Sequence, residues 1–133
     1  MTRILFIDDD ILTLDLMGRV AEILGHEALL CCSGSTGLET AEREKPGLIL
    51  VDLRLPDRDG IEVAQALRSN PATAATPVFL LSAGISAKTR QAAWEAGADG
   101  CLEKPISLEV LGQVLNSLAR DSEKGVINHK GIA

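Results

Sequence analysis

Five short apolar runs, each closing on a polar or charged residue and each followed by a helical segment, constrain this chain more than any other feature. The clearest is Leu48-Ile49-Leu50-Val51, which ends at Asp52. Four apolar residues in succession read as a strand buried on both faces. Pro56 and the segment from Asp57 to Gly60 mark a loop directly after it. Ile4 to Ile7 is a second such run and ends in Asp8-Asp9-Asp10. Val78 to Leu81 ends at Ser82, and Cys101-Leu102-Glu103 is followed by Lys104-Pro105. Ala28 to Cys32 is the weakest strand of the five.

Helical periodicity fills the gaps. Leu14, Met17, Ala21 and Leu24 share one face of a first helix, which Gly25 closes. Ser33 to Thr36 offers caps for a helix from Gly37 to Glu44, and Pro46-Gly47 breaks it. Ile61 to Ser69 is stopped by Asn70-Pro71, and Ser86 to Ala96 is stopped by Gly97. Ser107 caps a last helix carrying Leu108, Leu111, Leu115 and Leu118. Strict alternation of this kind argues for an α/β fold, a parallel sheet with helices on both faces. Right-handed crossovers leave few topologies open. Residues 121–133 carry no periodicity and read as a frayed tail or the start of a linker.

Composition narrows the function classes. A length of 133 residues suits one compact domain. Apolar residues are 46% and aromatics 2%, so the core has to be aliphatic. A net charge of -6 and a pI near 4.8 argue against direct binding of nucleic acid through a basic face. The N-terminus lacks a signal-peptide layout, and no apolar run approaches the roughly 18 residues needed to cross a bilayer. Cys31, Cys32 and Cys101 lack zinc spacing and read as reduced, mostly buried thiols of a cytoplasmic protein.

Chemistry gathers at the strand ends: Asp8 and Asp9, Asp52, Ser82 and Lys104. In an open parallel sheet, ligands bind outside the carboxyl ends of the strands. Three ionised carboxylates held together repel one another and call for a cation. Hard oxygen ligands favour a magnesium-type ion. A lysine beside such a metal fits as a clamp on a phosphoryl oxygen. The set holds the parts of a phosphoryl-transfer site: nucleophilic carboxylate, metal, cation and hydroxyl.

The motifs Phe6-Ile7-Asp8-Asp9-Asp10, Val51-Asp52 with Pro56 and Asp59-Gly60, Leu81-Ser82-Ala83, and Glu103-Lys104-Pro105-Ile106 resemble the receiver domain of two-component response regulators. The resemblance spans about residues 3 to 119. It implies a flavodoxin-like (βα)5 sandwich with sheet order 2-1-3-4-5, residues 1–120 as the receiver and 121–133 as tail or linker. It further implies that Asp52 accepts a phosphoryl group from a sensor histidine kinase or a histidine phosphotransfer protein. Asp9 and Asp52 would hold Mg2+ directly, Asp8 largely through water, and the Arg54 backbone carbonyl would complete the protein ligands. Ser82 and Lys104 would bind phosphoryl oxygens, and Lys104-Pro105 would be cis. The role is signalling rather than turnover of a separate substrate. An output domain or homodimer would engage the face made by the fourth helix, fifth strand and fifth helix. Two departures stand out. Arg54 places a long cation two residues beyond the acceptor, and Cys101 replaces the usual Tyr or Phe three residues before the lysine.

Two rivals use the same residues. Ile7 to Thr13 loosely resembles the first motif of haloacid-dehalogenase-type phosphatases, with Asp8 as nucleophile and Asp10 as acid/base. A degenerate receiver acting only in protein interaction is the other. The remaining polar residues have plainer roles. Asp10 caps the first helix, Asp57 and Asp59 are turn residues, and Gly60 serves a conformation that a side chain would hinder. His26 reads as a surface residue and His129 as incidental. Ala92 and Ala96 suit packing on the sheet, which leaves Trp94 either exposed at a partner surface or folded over Cys101.

Overall fold

The computed structural model describes residues 1–123. Its elements alternate as β1 (Arg3–Ile7), α1 (Ile11–Ile23), β2 (Glu27–Cys31), α2 (Gly34–Glu44), β3 (Leu48–Asp52), α3 (Gly60–Ser69), β4 (Val78–Ser82), α4 (Ala87–Glu95), β5 (Gly100–Glu103) and α5 (Leu108–Glu123). The strands form one parallel sheet in the order β2-β1-β3-β4-β5. This is the sheet order that the motifs imply. His129 lies outside the described residues.

Two apolar layers explain why the strands read as continuous runs. Ile4, Phe6, Leu48, Leu50, Phe79 and Leu81 face α1 and α5, against Leu14, Met17, Val20 and Leu111. Leu5, Ile7, Ile49, Val51, Val78 and Leu80 face the opposite way, against Ala41, Val63, Leu67 and Ala93. Successive residues of a strand alternate between faces, so a sheet covered on both sides needs apolar side chains at every position. β2 lies at the sheet edge and is only partly covered, hence its weaker signal.

Several boundaries move for tertiary reasons. β2 runs one residue earlier than the apolar pattern suggests, because Arg3 pairs with Glu27 and Ile7 with Cys31. Cys32 therefore lies beyond the sheet and is exposed, Cys31 is half-buried, and only Cys101 of the three thiols is buried. That corrects the reading of mostly buried cysteines. α2 begins at Gly34 rather than Gly37, with Ser33 as its N-cap. α5 continues to Glu123, past the end of its leucine pattern. On α4 the sheet-facing residues are Ala93 and Ala96, not Ala92 and Ala96. Trp94 is 59% exposed, so it does not fold over Cys101. His26 is half-buried, and its Nδ1 accepts a hydrogen bond from the Thr2 N–H, tying down the start of the chain.

The end of the sheet opposite the acids is held by Arg68. Its guanidinium donates to the carbonyls of Gly97, Ala74 and Thr76 and pairs with Asp99 at 2.8 Å. Asp99 also accepts from the Val78 N–H. One side chain thus joins the end of α3, the entry to β4 and the turn before β5.

Candidate functional site

Sheet register brings the acids together. Ile7 pairs with Val51, so Asp8 and Asp52, the residues that follow them, stand side by side. Asp8, Asp9 and Asp52 each offer a carboxylate oxygen, all within 4.8 Å of one another. Asp8 and Asp52 are buried, whereas Asp9 is exposed. Lys104 comes from the far side of the sheet end. Its backbone N–H donates to the Ser82 carbonyl at 2.9 Å, which continues the β4-β5 ladder by one residue. Its Nζ then lies 2.8 Å from Asp8 Oδ2 and 3.2 Å from Asp52 Oδ2. The Lys104-Pro105 peptide bond that turns the chain here is cis.

Each carboxylate is held differently. Asp8 Oδ1 accepts from the Asp10 N–H at 2.9 Å. Asp8 Oδ2 is fully buried without an aligned hydrogen-bond donor, and the Lys104 ammonium compensates it as an ion pair. Asp52 Oδ1 accepts from the Arg54 N–H at 3.2 Å. Burial pushes the Asp52 carboxyl above its ordinary range, and the neighbouring Asp8 adds to this; Arg54 and Lys104 pull the other way without prevailing. For Lys104, burial would lower the ammonium, but Asp8 and Asp52 together outweigh it and raise its pKa.

Three carboxylates and one ammonium leave the cluster with two uncompensated negative charges. A divalent cation is the natural complement, and an all-oxygen donor set fits a hard one such as Mg2+. The buried Asp8 Oδ2 points the same way, because its charge partner, the Lys104 ammonium, is shared with Asp52, and a buried anionic oxygen is costly unless enough positive charge serves it.

The remaining residues fall around this centre. Ser82 stands at the neighbouring strand end, with Leu81 opposite Asp52, but its hydroxyl donates to the Gly84 carbonyl at 2.7 Å within its own loop. The Arg54 side chain is exposed. Asp10 caps α1, accepting from the Leu12 N–H and from Thr13, and Thr13 lowers its pKa. Asp59 caps α3 through the Glu62 N–H. Gly60 keeps its place for lack of room: a Cβ there would lie 2.6 Å from the Asp52 carbonyl oxygen.

Asp57 does more than turn the chain. Its carboxylate reaches α2 and accepts from the N–H groups of Gly34 and Ser35 and from the Ser35 hydroxyl. These bonds hold its pKa down at about 2. The sequence offered no signal for this contact beyond an acid at the loop tip and a Ser-Gly-Ser cap 22 residues earlier.

A family model described as the response regulator receiver domain matches residues 4–116. The chain belongs to that family. The receiver is 35% identical over 124 residues to the DNA-binding dual master transcriptional regulator RpaA of Synechocystis, covering 93% of this chain and 52% of that protein. It is also 35% identical over 118 residues to the response regulator MprA of Mycobacterium leprae, covering 89% and 51%. It spans about half the length of these regulators. Among solved structures, the chemotaxis response regulator CheY4 of Vibrio cholerae superposes with a TM-score of 0.81 at 27% identity, over 87% of this receiver and 97% of that chain. The receiver domain of a sensor histidine kinase from Pseudomonas aeruginosa, solved with magnesium coordinated in its active-site cleft, has a TM-score of 0.79 at 26% identity, over 86% and 94%. The acidic cluster of this receiver fits the same ion. No helix among the described residues is long and apolar enough to cross a membrane.

Proposed function

We propose that Asp52 is the phosphoacceptor of this receiver, taking its phosphoryl group from a phosphohistidine on a sensor histidine kinase or histidine phosphotransfer protein. An Asp52 carboxylate oxygen forms the new O–P bond as the donor's N–P bond breaks, and the imidazole nitrogen keeps the electron pair. The observation that carries this reading is the Lys104 ammonium lying within 3.2 Å of both Asp8 and Asp52, beside the three-carboxylate cluster. Asp8, Asp9, Asp52 and the Arg54 carbonyl would hold Mg2+, which when bound supplies positive charge to the phosphoryl oxygens.

Lys104 pairs with a phosphoryl oxygen once Asp52 becomes an acyl phosphate, because the added charge lies beside the Asp52 oxygen that its ammonium already approaches. Ser82 donates a second hydrogen bond after giving up Gly84. That exchange moves the β4-α4 loop and carries the change to the face of α4, β5 and α5, where Trp94 is exposed. A second copy or an output partner would bind there, as an expectation for a regulator whose activity is to be switched. Arg54 puts a long, exposed cation two residues beyond Asp52 and tunes how long the aspartyl phosphate survives. We place the end of the receiver unit at α5.

The phosphatase reading finds little support: both Asp8 oxygens are engaged, and Asp10 is spent as a helix cap. Acetyl phosphate with Mg2+ tests the choice. Intact-mass measurement should show one added phosphate in the parent and in Asp10→Asn, and none in Asp52→Asn. A label mapped to Asp8 would overturn the proposal.

A further inference from the structure

The loop from Leu53 to Asp59 carries Arg54, and its internal bonds close it on itself. The Gly60 N–H donates to the Leu53 carbonyl at 2.7 Å, and Arg54 pairs antiparallel with Asp59. Asp57, at the outer end, links this loop to another layer of the fold. Its Oδ1 accepts from the Gly34 N–H at 2.9 Å, and its Oδ2 accepts from the Ser35 N–H and hydroxyl, each at 2.8 Å. Both carboxylate oxygens are thus committed to the first turn of α2. That helix already has its own cap, since Ser33 Oγ accepts from the Thr36 N–H at 3.2 Å. The Asp57 bonds therefore add a connection rather than replace a missing cap.

α2 in turn lies directly on β1. A Cβ on Gly37 would stand 2.3 Å from Ile7 Cδ1, and Ile7 immediately precedes Asp8 and Asp9. Contact therefore runs from Asp57 through the first turns of α2 to the strand bearing two of the three carboxylates. Arg54 is three residues from one end of this path and Asp8 is one residue from the other.

We propose that Asp57 is a positioning residue for the cation site, pinning the β3-α3 loop to α2 so that the Arg54 carbonyl keeps a set distance from Asp8 and Asp9. The inference rests on the reading of Asp8, Asp9, Asp52 and Arg54 as the magnesium ligands. Without the pin, magnesium has to order the loop as it binds, and affinity falls. Residues that orient metal ligands without touching the metal typically change affinity by about 10-fold or more when removed.

The test is a magnesium titration by calorimetry on the full chain, with melting temperatures recorded in EDTA. Asp57→Ala should bind Mg2+ roughly 10-fold more weakly than the parent. Asp57→Asn should lie between, because its amide oxygen can still accept from Gly34. Ser33→Ala removes the ordinary cap of the same helix without touching the loop; it should lower the melting temperature and leave the magnesium affinity unchanged. If both Asp57 variants bind Mg2+ as tightly as the parent while melting earlier, Asp57 is only a clamp on α2 and the inference fails. Should Asp57→Ala not fold, Asp57→Asn and Ser35→Ala decide the matter by the same comparison. A parent protein that binds no magnesium overturns the ligand reading, and this inference falls with it.

Discussion

Lys104 and Asp8 form an ion pair of 2.8 Å in which Asp8 is fully buried and Lys104 is 21% exposed. Asp8 Oδ2 has no aligned hydrogen bond to replace that charge. Removing the ammonium therefore strands a buried anion. Truncating one partner of a buried pair costs about 3–5 kcal/mol, and the partial exposure of Lys104 favours the lower end. Lys104→Met should thus lose roughly 3 kcal/mol in urea denaturation without metal. Saturating Mg2+ should recover part of the loss. A variant as stable as the parent in EDTA would show that the pair contributes nothing.

Magnesium itself should stabilise the parent. The cluster carries two negative charges in excess, and a ligand that binds only the folded state adds about 2.7 kcal/mol at a hundredfold excess over its Kd. Thermal melting with and without millimolar Mg2+ should show the rise. Asp9→Ala should abolish it and also relieve like-charge repulsion, so that the metal-free variant melts no lower than the parent. A parent melting temperature indifferent to Mg2+ would contradict the site.

Asp57 gives the pH dependence its sign. Its carboxyl has an ordinary value of 3.8 and is held at about 2 in the fold, first by the Gly34 N–H and then by Ser35. A depressed folded pKa contributes stability that is present above the unfolded value and lost as pH falls through the folded one. Asp57→Asn should therefore be less stable than the parent at neutral pH. The gap should close as pH falls from 3.8 towards 2, in urea midpoints taken across that window. A gap independent of pH would mean that the charge plays no part in the clamp.

Trp94 supplies a probe of the output face. At 59% exposure its indole should be quenched readily by acrylamide in the free protein. Trp94→Ala should change stability by no more than about 0.5 kcal/mol, as for a surface position. It should weaken dimerisation or partner binding after phosphorylation, because exposed tryptophans are common anchors of interfaces. Sedimentation of the phosphorylated parent and variant compares them directly, and identical behaviour would remove Trp94 from the contact.

Local signals sufficed for much of this architecture. Leu48 to Asp52 is apolar at every position but the last because both faces of the sheet are covered, and that need is written residue by residue. Asp8, Asp52, Ser82 and Lys104 sit at strand ends, where the apolar run stops and a turn begins, so their shared neighbourhood follows from the alternation of elements and the parallel sheet. Gly25 and Gly97, both with positive φ, end their helices where the pattern breaks.

Direction and rotation were another matter. Whether Ala92 or Ala93 faces the sheet differs by one step of about 100°, which α4 is too short and too rich in small residues to specify by pattern. Ser82 is legible as a strand-end hydroxyl, but its bond to Gly84 depends on how the β4-α4 loop folds back. Gly60 reads as a turn glycine, yet its constraint is the Asp52 carbonyl that the folded chain brings against it. The tie between the first turn of α2 and the loop after β3 depends on Asp57, 23 residues beyond Gly34. Periodicity and punctuation determine which elements form and what stands at their ends, because those preferences act over a few residues. The reach of Asp57, the turn of the Ser82 hydroxyl and the burial of Asp8 beneath Lys104 were decided by tertiary packing, because each depends on a partner that only the assembled sheet brings near.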